Sequence, residues 1–229
     1  TMVMDAVYDD FAYVMANMRT SDLNPQYLNR YIAAGFISRF MLFEGTWQKY
    51  HLNNAEKARK YLQMAADAAN YVMASGKYSF ASDFRSLFGS QDLAGNKEVI
   101  MYRHYDAALQ VTHHIASYSN TTEGQPQSAN LALLKSFICA DGEVYQSSTL
   151  ANATSLDLAN MILTREPRFE ATFWDTPRKQ ASTLVYSDKF IDRVGPSFYG
   201  GTYPPEYGSN TNTNDAPVMR LGEVVLNWI

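Results

Sequence analysis

Between Ala55 and Met73 the positions Ala55, Ala58, Leu62, Ala65, Ala69, Val72 and Met73 recur at helical spacing, and four of the seven are alanine. This is the strongest constraint in the chain. A helix whose apolar face is made of small residues gains stability only against a neighbour that comes very close. Its ends are marked as well. Asn53 with Glu56 three residues on has the form of a capping box, and Gly76 stands where a left-handed C-terminal residue is expected. Upstream, Leu28, Ile32, Phe36, Phe40 and Phe43 form a second helical stripe, expected to close near Gly45. Before it, Met4, Val7, Phe11, Val14, Met15 and Met18 form a first, with Asp5, Asp9 and Asp10 where the positive end of a helix favours acids. The second and third stripes, joined by a short turn, predict an antiparallel helical hairpin of tetratricopeptide dimensions. No second copy recurs at a period near 34 residues, so a repeat array does not follow from periodicity.

From Lys77 the texture changes. Residues 78–88 are aromatic and irregular, and Glu98 to Tyr102 is a short apolar run of strand type. Residues 117–128 are rich in Ser, Thr, Asn, Gly and Pro, and read as loop. Leu131, Leu134 and Phe137 predict a short helix before the turn signal Asp141-Gly142, and Leu156 to Ile162 predict another. Glu170 to Trp174 and Ser182 to Tyr186 read as short strands. Gly195 to Asn214 is a long aperiodic stretch of Gly, Pro, Tyr, Thr and Asn, of the kind that usually carries function. Leu221, Val224, Val225 and Trp228 begin a last helical rhythm that stops abruptly, and Thr1 opens in apparent helix without a signal peptide. Both features predict a fragment cut from a longer protein.

Several chemistries find no support. A net charge of −4 gives no electrostatic reason to expect nucleic acid. The single cysteine, Cys139, excludes an intrachain disulfide framework, and after Phe137-Ile138 it is expected to be buried and inert. His51, His104, His113 and His114 form neither HxxxH nor HExxH, so no metal site and no cofactor are predicted. No phosphate-cradling glycine loop or Gly-x-Ser-x-Gly elbow occurs. Among the carboxylates from Asp141 to Asp215 no spacing singles out a hydrolytic pair, and Glu166, between Arg165 and Arg168, suits an ion pair better than a general acid.

Six segments, in order, resemble one family, the SusD/RagB outer-membrane nutrient-binding lipoproteins. They are the run Asn29 to Tyr50 with its Gly45-Thr46-Trp47; the helix Ala55 to Met73 followed by Ser75-Gly76-Lys77-Tyr78; Phe84 to Phe88 with Asn96 to Ile100; Ala140-Asp141-Gly142; Arg165-Glu166-Pro167-Arg168-Phe169; and Pro217 to Asn227. Glu166 stands where the family more often has Asp. The family's lipid-modified N-terminal cysteine is absent, mid-chain Cys139 cannot replace it, and the family's C-terminal helix is truncated after Trp228-Ile229.

The resemblance implies a mostly α fold: tetratricopeptide-like helical hairpins carrying a loop-rich ligand-binding region with a few short strands. On this reading residues 1–76 are the helical framework, 77–215 the ligand-binding region, and 216–229 the start of the truncated framework helix. It further implies a non-catalytic, lipid-anchored protein of the outer membrane, facing the cell exterior. Such a protein would bind oligosaccharide and deliver it to a SusC-like TonB-dependent transporter.

The residues themselves support a glycan ligand. Sixteen tyrosines, 12 phenylalanines and 3 tryptophans make the chain 14% aromatic. Sugars present an apolar C–H face to such rings and a rim of hydroxyls to amides. Tyr199, Tyr203, Tyr207 and Asn210, with His113, Tyr118 and Trp174, are the candidate ligand residues, whereas Trp47, Tyr50 and Trp228 are expected to pack internally. Two or three stacking contacts of about 1 kcal/mol each, with a few polar contacts, give micromolar to millimolar affinity. The competing readings are a carbohydrate-active hydrolase on a helical scaffold and a protein-binding tetratricopeptide-like scaffold.

Overall fold

Asparagines start the second and third helices. Asn29 Oδ1 accepts from the backbone N–H groups of Tyr31 and Ile32, and Asn54 Oδ1 accepts from that of Lys57 at 3.0 Å. Each satisfies a donor that the first helical turn leaves open. The cap of the third helix is therefore Asn54, one residue beyond the Asn53 expected. Asn53 takes the left-handed conformation (φ 51°) that turns the chain into it.

The structure is a computed structural model that describes residues 2–21, 27–115, 129–173, 185, 187–191, 206, 208 and 210–229. Among these it has eight helices and two strands. In order they are α1 (Met2–Asn17), α2 (Arg30–Tyr50), α3 (Ala55–Met73), α4 (Ser86–Gly89), β1 (Val99–Arg103), α5 (Leu131–Ser136), α6 (Leu158–Thr164), α7 (Pro167–Glu170), β2 (Ala216–Arg220) and α8 (Leu221–Trp228). No helix among the described residues is long and apolar enough to cross a membrane. The chain divides into two compact units: residues 1–82, 93–103 and 216–229 form the first, and 83–92 with 104–215 the second.

In the first unit the alanine face of α3 does what its composition requires. Ala65, Ala68 and Ala69 are buried with Tyr61 and Val72 in one core with Ile32, Ala34, Ile37 and Met41 of α2. Each large side chain so buried contributes about 1.5–3 kcal/mol. Two expectations for α2 fail here. It does not close near Gly45 but continues to Tyr50. Nor does it bury the whole expected stripe: Ile32 is buried and Phe36 packs on the core, but Leu28, Phe40 and Phe43 are exposed, as are Trp47 and Tyr50, which were expected to pack. The face actually buried includes Ser38, Gly45, Glu44 and Gln48, the last two joined by a 2.7 Å hydrogen bond that makes their burial tolerable. The exposed rings stack along the helix instead, Phe43 on Trp47 and Trp47 on His51.

No residue of α1 is fully buried, but Met4, Val7, Phe11, Val14 and Met15 lean on this core as their spacing predicts. A polar clasp joins α1 to α3. Asp5 accepts from Lys57 Nζ and from the Tyr61 hydroxyl, both at 2.7 Å. The bond from Lys57, with that from Tyr61, holds the Asp5 carboxyl at about 2, below its ordinary 3.8. Burial, then the bond to Asp5, raises the Tyr61 phenol. A carboxyl more acidic in the folded than in the unfolded chain stabilises fully above pH 4 and loses that contribution as pH falls toward 2. Asp5→Asn is thus expected to flatten the acid limb between pH 4 and 2 in urea-midpoint measurements, leaving the slope nearer neutrality unchanged.

The first unit is completed from far along the sequence. β1 pairs antiparallel with β2, Val99 opposite Arg220 and Arg103 opposite Ala216, with irregular register between. The expected run at Glu98 to Tyr102 is this first strand; its partner was not read from sequence. α8 follows β2 directly, buries Leu221 and Val224, and ties back to α2 through Asn227 to Ser38 and a two-pronged Arg39–Glu223 ion pair. Trp228, expected in the core, is half exposed.

The second unit has a core of Leu134, Leu158, Met161, Phe169 and Phe173, against which the Phe137 ring packs edge to face with Phe169 and Phe173. The helices expected around Leu131 and Leu158 are α5 and α6. Among the described residues 170–173 the strand expected over Glu170 to Trp174 does not form. Glu170 ends α7, which starts on Pro167 because proline suits a first helical turn, and Phe173 makes only an isolated bridge to Ser187. Cys139 is buried, bridged to Arg165, whose guanidinium reaches Ala153 O and Thr164 Oγ1. Glu166 pairs with Arg168.

Candidate functional site

In the second unit the segment after β1 folds back on the segment before β2. His113 exchanges both backbone hydrogen bonds with Asn212, each at 3.0 Å. Thr112 Oγ1 donates to Asn210 O at 2.8 Å, so the two candidates that lie among the described residues, His113 and Asn210, belong to one locus. Asn210 is exposed and left-handed (φ 56°), a conformation its short polar side chain tolerates.

The His113 ring is fixed from every side. Nε2 donates to Asn214 O at 2.8 Å, Nδ1 accepts from the Ile115 N–H, and Tyr105 meets the ring edge-on at 4.4 Å. Burial, against a smaller opposing effect of the Asn214 carbonyl, lowers the His113 pKa and favours the neutral imidazole. With both nitrogens engaged, its offer to a ligand is ring carbon. The amides beneath are structural. Asn212 Nδ2 donates to the carbonyls of Glu206 and Gly208, and buried Asn214 donates to Phe88 O. Tyr118, Trp174, Tyr199, Tyr203 and Tyr207 lie outside the described residues, as do the loop 117–128 and most of the stretches 182–186 and 195–214.

Next to this locus is a cluster that spacing could not reveal. Asp215 is wholly buried; its Oδ1 accepts the Tyr105 N–H at 3.1 Å and lies 2.9 Å from His104 Nδ1. Among the described residues, Asp92, His104 and Asp215 bring one donor atom each within 4.8 Å of the others, close enough to share one ion. The sequence separation between His104 and Asp215 is 111 residues, so no local motif announces the site.

The first unit carries a groove of about 460 Å³, lined by Asn29, Lys77, Tyr78, Asn96, Lys97 and Tyr102 among others. Two left-handed glycines, Gly76 (φ +65°) and Gly95 (φ +78°), shape its walls. Tyr78 lies edge-on to Tyr31, over which Lys77 is placed, and burial pushes the Tyr78 phenol up to about 12. Aromatic surface beside amides and ammonium groups suits a hydroxylated ligand. None of these side chains was a sequence candidate. The signal lay in the Ser75-Gly76-Lys77-Tyr78 and Asn96-Lys97-Glu98 segments; from Lys77 on these fall in the expected ligand-binding region 77–215, but none of their residues was given a ligand role.

No protein-family model matches the sequence, and no curated protein does either. Among solved structures, the chain is similar to a SusD-like carbohydrate-binding protein of Bacteroides fragilis, at 15% identity and a TM-score of 0.65. The match takes in 99% of this chain but 45% of that one, so the chain spans about half the length of the protein it matches. The likeness is one of fold: the mostly helical, tetratricopeptide-like, SusD-like arrangement expected from the sequence is the arrangement found.

Proposed function

We propose that this chain is the binding part of a cell-surface glycan receptor, which holds oligosaccharide without cleaving it and passes it to a TonB-dependent outer-membrane transporter. One observation carries the glycan part: nearly the whole chain shares its fold with a carbohydrate-binding protein. Delivery to a transporter and attachment to the outer membrane through a lipid anchor rest on the six sequence segments alone. The ligand residues we assign are Tyr199, Tyr203 and Tyr207 with Asn210, His113, Tyr118 and Trp174, in the loop-rich region 77–215. The described part of this set supports the assignment through one physical feature. A ring held rigid by three neighbours stands in the same locus as an exposed amide, the pairing a sugar's apolar face and hydroxyl rim require.

Titration calorimetry against a panel of oligosaccharides and peptides, with reducing-sugar release measured in parallel, tests the reading. Saturable glycan binding with no product is expected. Tyr203→Ala or Tyr207→Ala should weaken it about fivefold, the worth of one stacking contact, with little change in melting temperature. If both leave affinity intact while Asn96→Ala lowers it, the groove of the first unit is the site instead. Product formation abolished by a single acid-to-amide change would restore the hydrolase.

A second reading has one observation in its favour. Phe40, Phe43, Trp47 and Tyr50 leave α2 with an exposed aromatic face, as a protein-binding scaffold would need. A scaffold should give no heat with any small ligand.

A further inference from the structure

We propose that Asp92, His104 and Asp215 form a binding site for a divalent transition-metal ion of the zinc type. The inference does not depend on what the protein binds elsewhere. The three residues come from both stretches of chain that make up the second unit. Asp92 is the last residue of the shorter stretch, and His104 and Asp215 are the first and last of the longer one. An ion held between them fastens three chain ends of that unit at one point.

The geometry fits such an ion. Two donors bound to zinc at about 2.1 Å stand roughly 2.9–3.4 Å apart, depending on coordination angle. His104 Nδ1 and Asp215 Oδ1 are 2.9 Å apart, the length of the hydrogen bond that joins them and that an ion would replace, and Asp92 lies within 4.8 Å of both. Asp92 is exposed, so a change of rotamer closes the remaining distance. Asp215 is the anchor: it is fully buried, and the Tyr105 N–H donated to its Oδ1 orients the carboxylate as outer-sphere partners orient metal ligands. The half-exposed His104 and the exposed Asp92 leave a way in from solvent and room for a water to complete the coordination. One imidazole nitrogen with two carboxylate oxygens selects zinc or a neighbouring first-row ion over calcium or magnesium, which prefer oxygen alone. Two carboxylates held this close, one of them out of water, also favour a cation between them.

Titration of the intact chain with zinc chloride tests the site, with calcium chloride as the contrast. One ion per chain is expected, with a dissociation constant in the micromolar range and calcium at least tenfold weaker. Zinc at a hundredfold excess over that constant should raise the melting temperature by about 3 °C or more. Asp92→Asn and His104→Gln, both at exposed or half-exposed positions, should each weaken zinc at least about tenfold while keeping the fold. Asp215→Asn removes a buried acceptor and is secondary, since it disturbs folding directly. Zinc binding unchanged in both Asp92→Asn and His104→Gln would place the ion on another histidine and overturn the proposal. So would calcium binding more tightly than zinc, or no saturable heat with zinc.

Discussion

A Gly45→Val variant is expected to lose about 3 kcal/mol of stability or more, and Gly45→Ala about 2 kcal/mol. Helix propensity argues the other way. Gly45 is interior to α2, where alanine is favoured over glycine by about 1 kcal/mol. Packing overrides it. A Cβ at Gly45 would stand 2.6 Å from Leu62 Cγ, 2.7 Å from its Cδ2 and 3.0 Å from its backbone nitrogen, so α3 itself must retreat. Gly35 is the control on the same helix. The three atoms nearest its added Cβ all belong to the Met219 side chain, Cγ at 2.9 Å, Sδ at 3.3 Å and Cε at 3.6 Å, and an unbranched methionine yields more readily than the backbone of a helix. Gly35→Ala should therefore cost under about 1 kcal/mol. Urea unfolding followed by the helix signal ranks the three variants. Gly45→Ala as stable as the parent would mean that α2 and α3 do not pack as closely as described.

The same close approach explains which parts of the fold were legible. Alanine spacing in α3 demanded a neighbour at short range, and α2 supplies it. What misled was the weight given to large apolar residues. Of the stripe Leu28, Ile32, Phe36, Phe40 and Phe43, Ile32 is buried and Phe36 packs on the core, but Leu28, Phe40 and Phe43 are exposed. The buried face of α2 also runs through Gly35, Ile37, Ser38, Met41 and Gly45, where close packing accepts small side chains as readily as large ones. The polar pair Glu44 and Gln48 hid that face further, since their mutual hydrogen bond is visible only once the helix is folded. β2 was missed for another reason. Pro217 argues against a strand, but on a two-stranded ribbon the absent N–H can face outward. Its partner β1 lies more than a hundred residues earlier, beyond any local pattern.

The candidate site was legible only as composition. Ring-rich and amide-rich stretches name residue types suited to sugar, yet they do not say which members meet. His113 stands beside Asn212 through two backbone hydrogen bonds, and its ring is held by Asn214 O and Tyr105, none of which a spacing rule foresees. The Asp92, His104 and Asp215 cluster is the clearer case. A rule that seeks histidines three or four residues apart cannot find one histidine flanked by acids from distant points of the chain.

Glu98→Ala is expected to cost about 3 kcal/mol, because this one nearly buried side chain closes two connections of the first unit. Its carboxylate is nearly buried; Oε1 accepts from Arg220 Nη1 at 2.7 Å and Oε2 from the Ala81 N–H at 2.9 Å. Its backbone carbonyl takes the Leu221 N–H, at the start of α8. The same Oε1 would lie 3.6 Å from a Cβ at Gly222, so negative charge sits at the positive end of that helix. Two segments that carried the family resemblance, Asn96 to Ile100 and Pro217 to Asn227, are thus joined by one ion pair across the β1–β2 ribbon. Their presence in one chain has a folding reason apart from any ligand. Glu98→Gln keeps the shape and an acceptor but removes the charge, and should cost about half as much. Arg220→Met in the Glu98→Gln background should recover part of that loss, since a guanidinium no longer faces a neutral amide. Urea midpoints of the parent, the two single variants and the double variant measure the coupling. Strictly additive losses would show that Glu98 acts through its backbone-facing bonds alone.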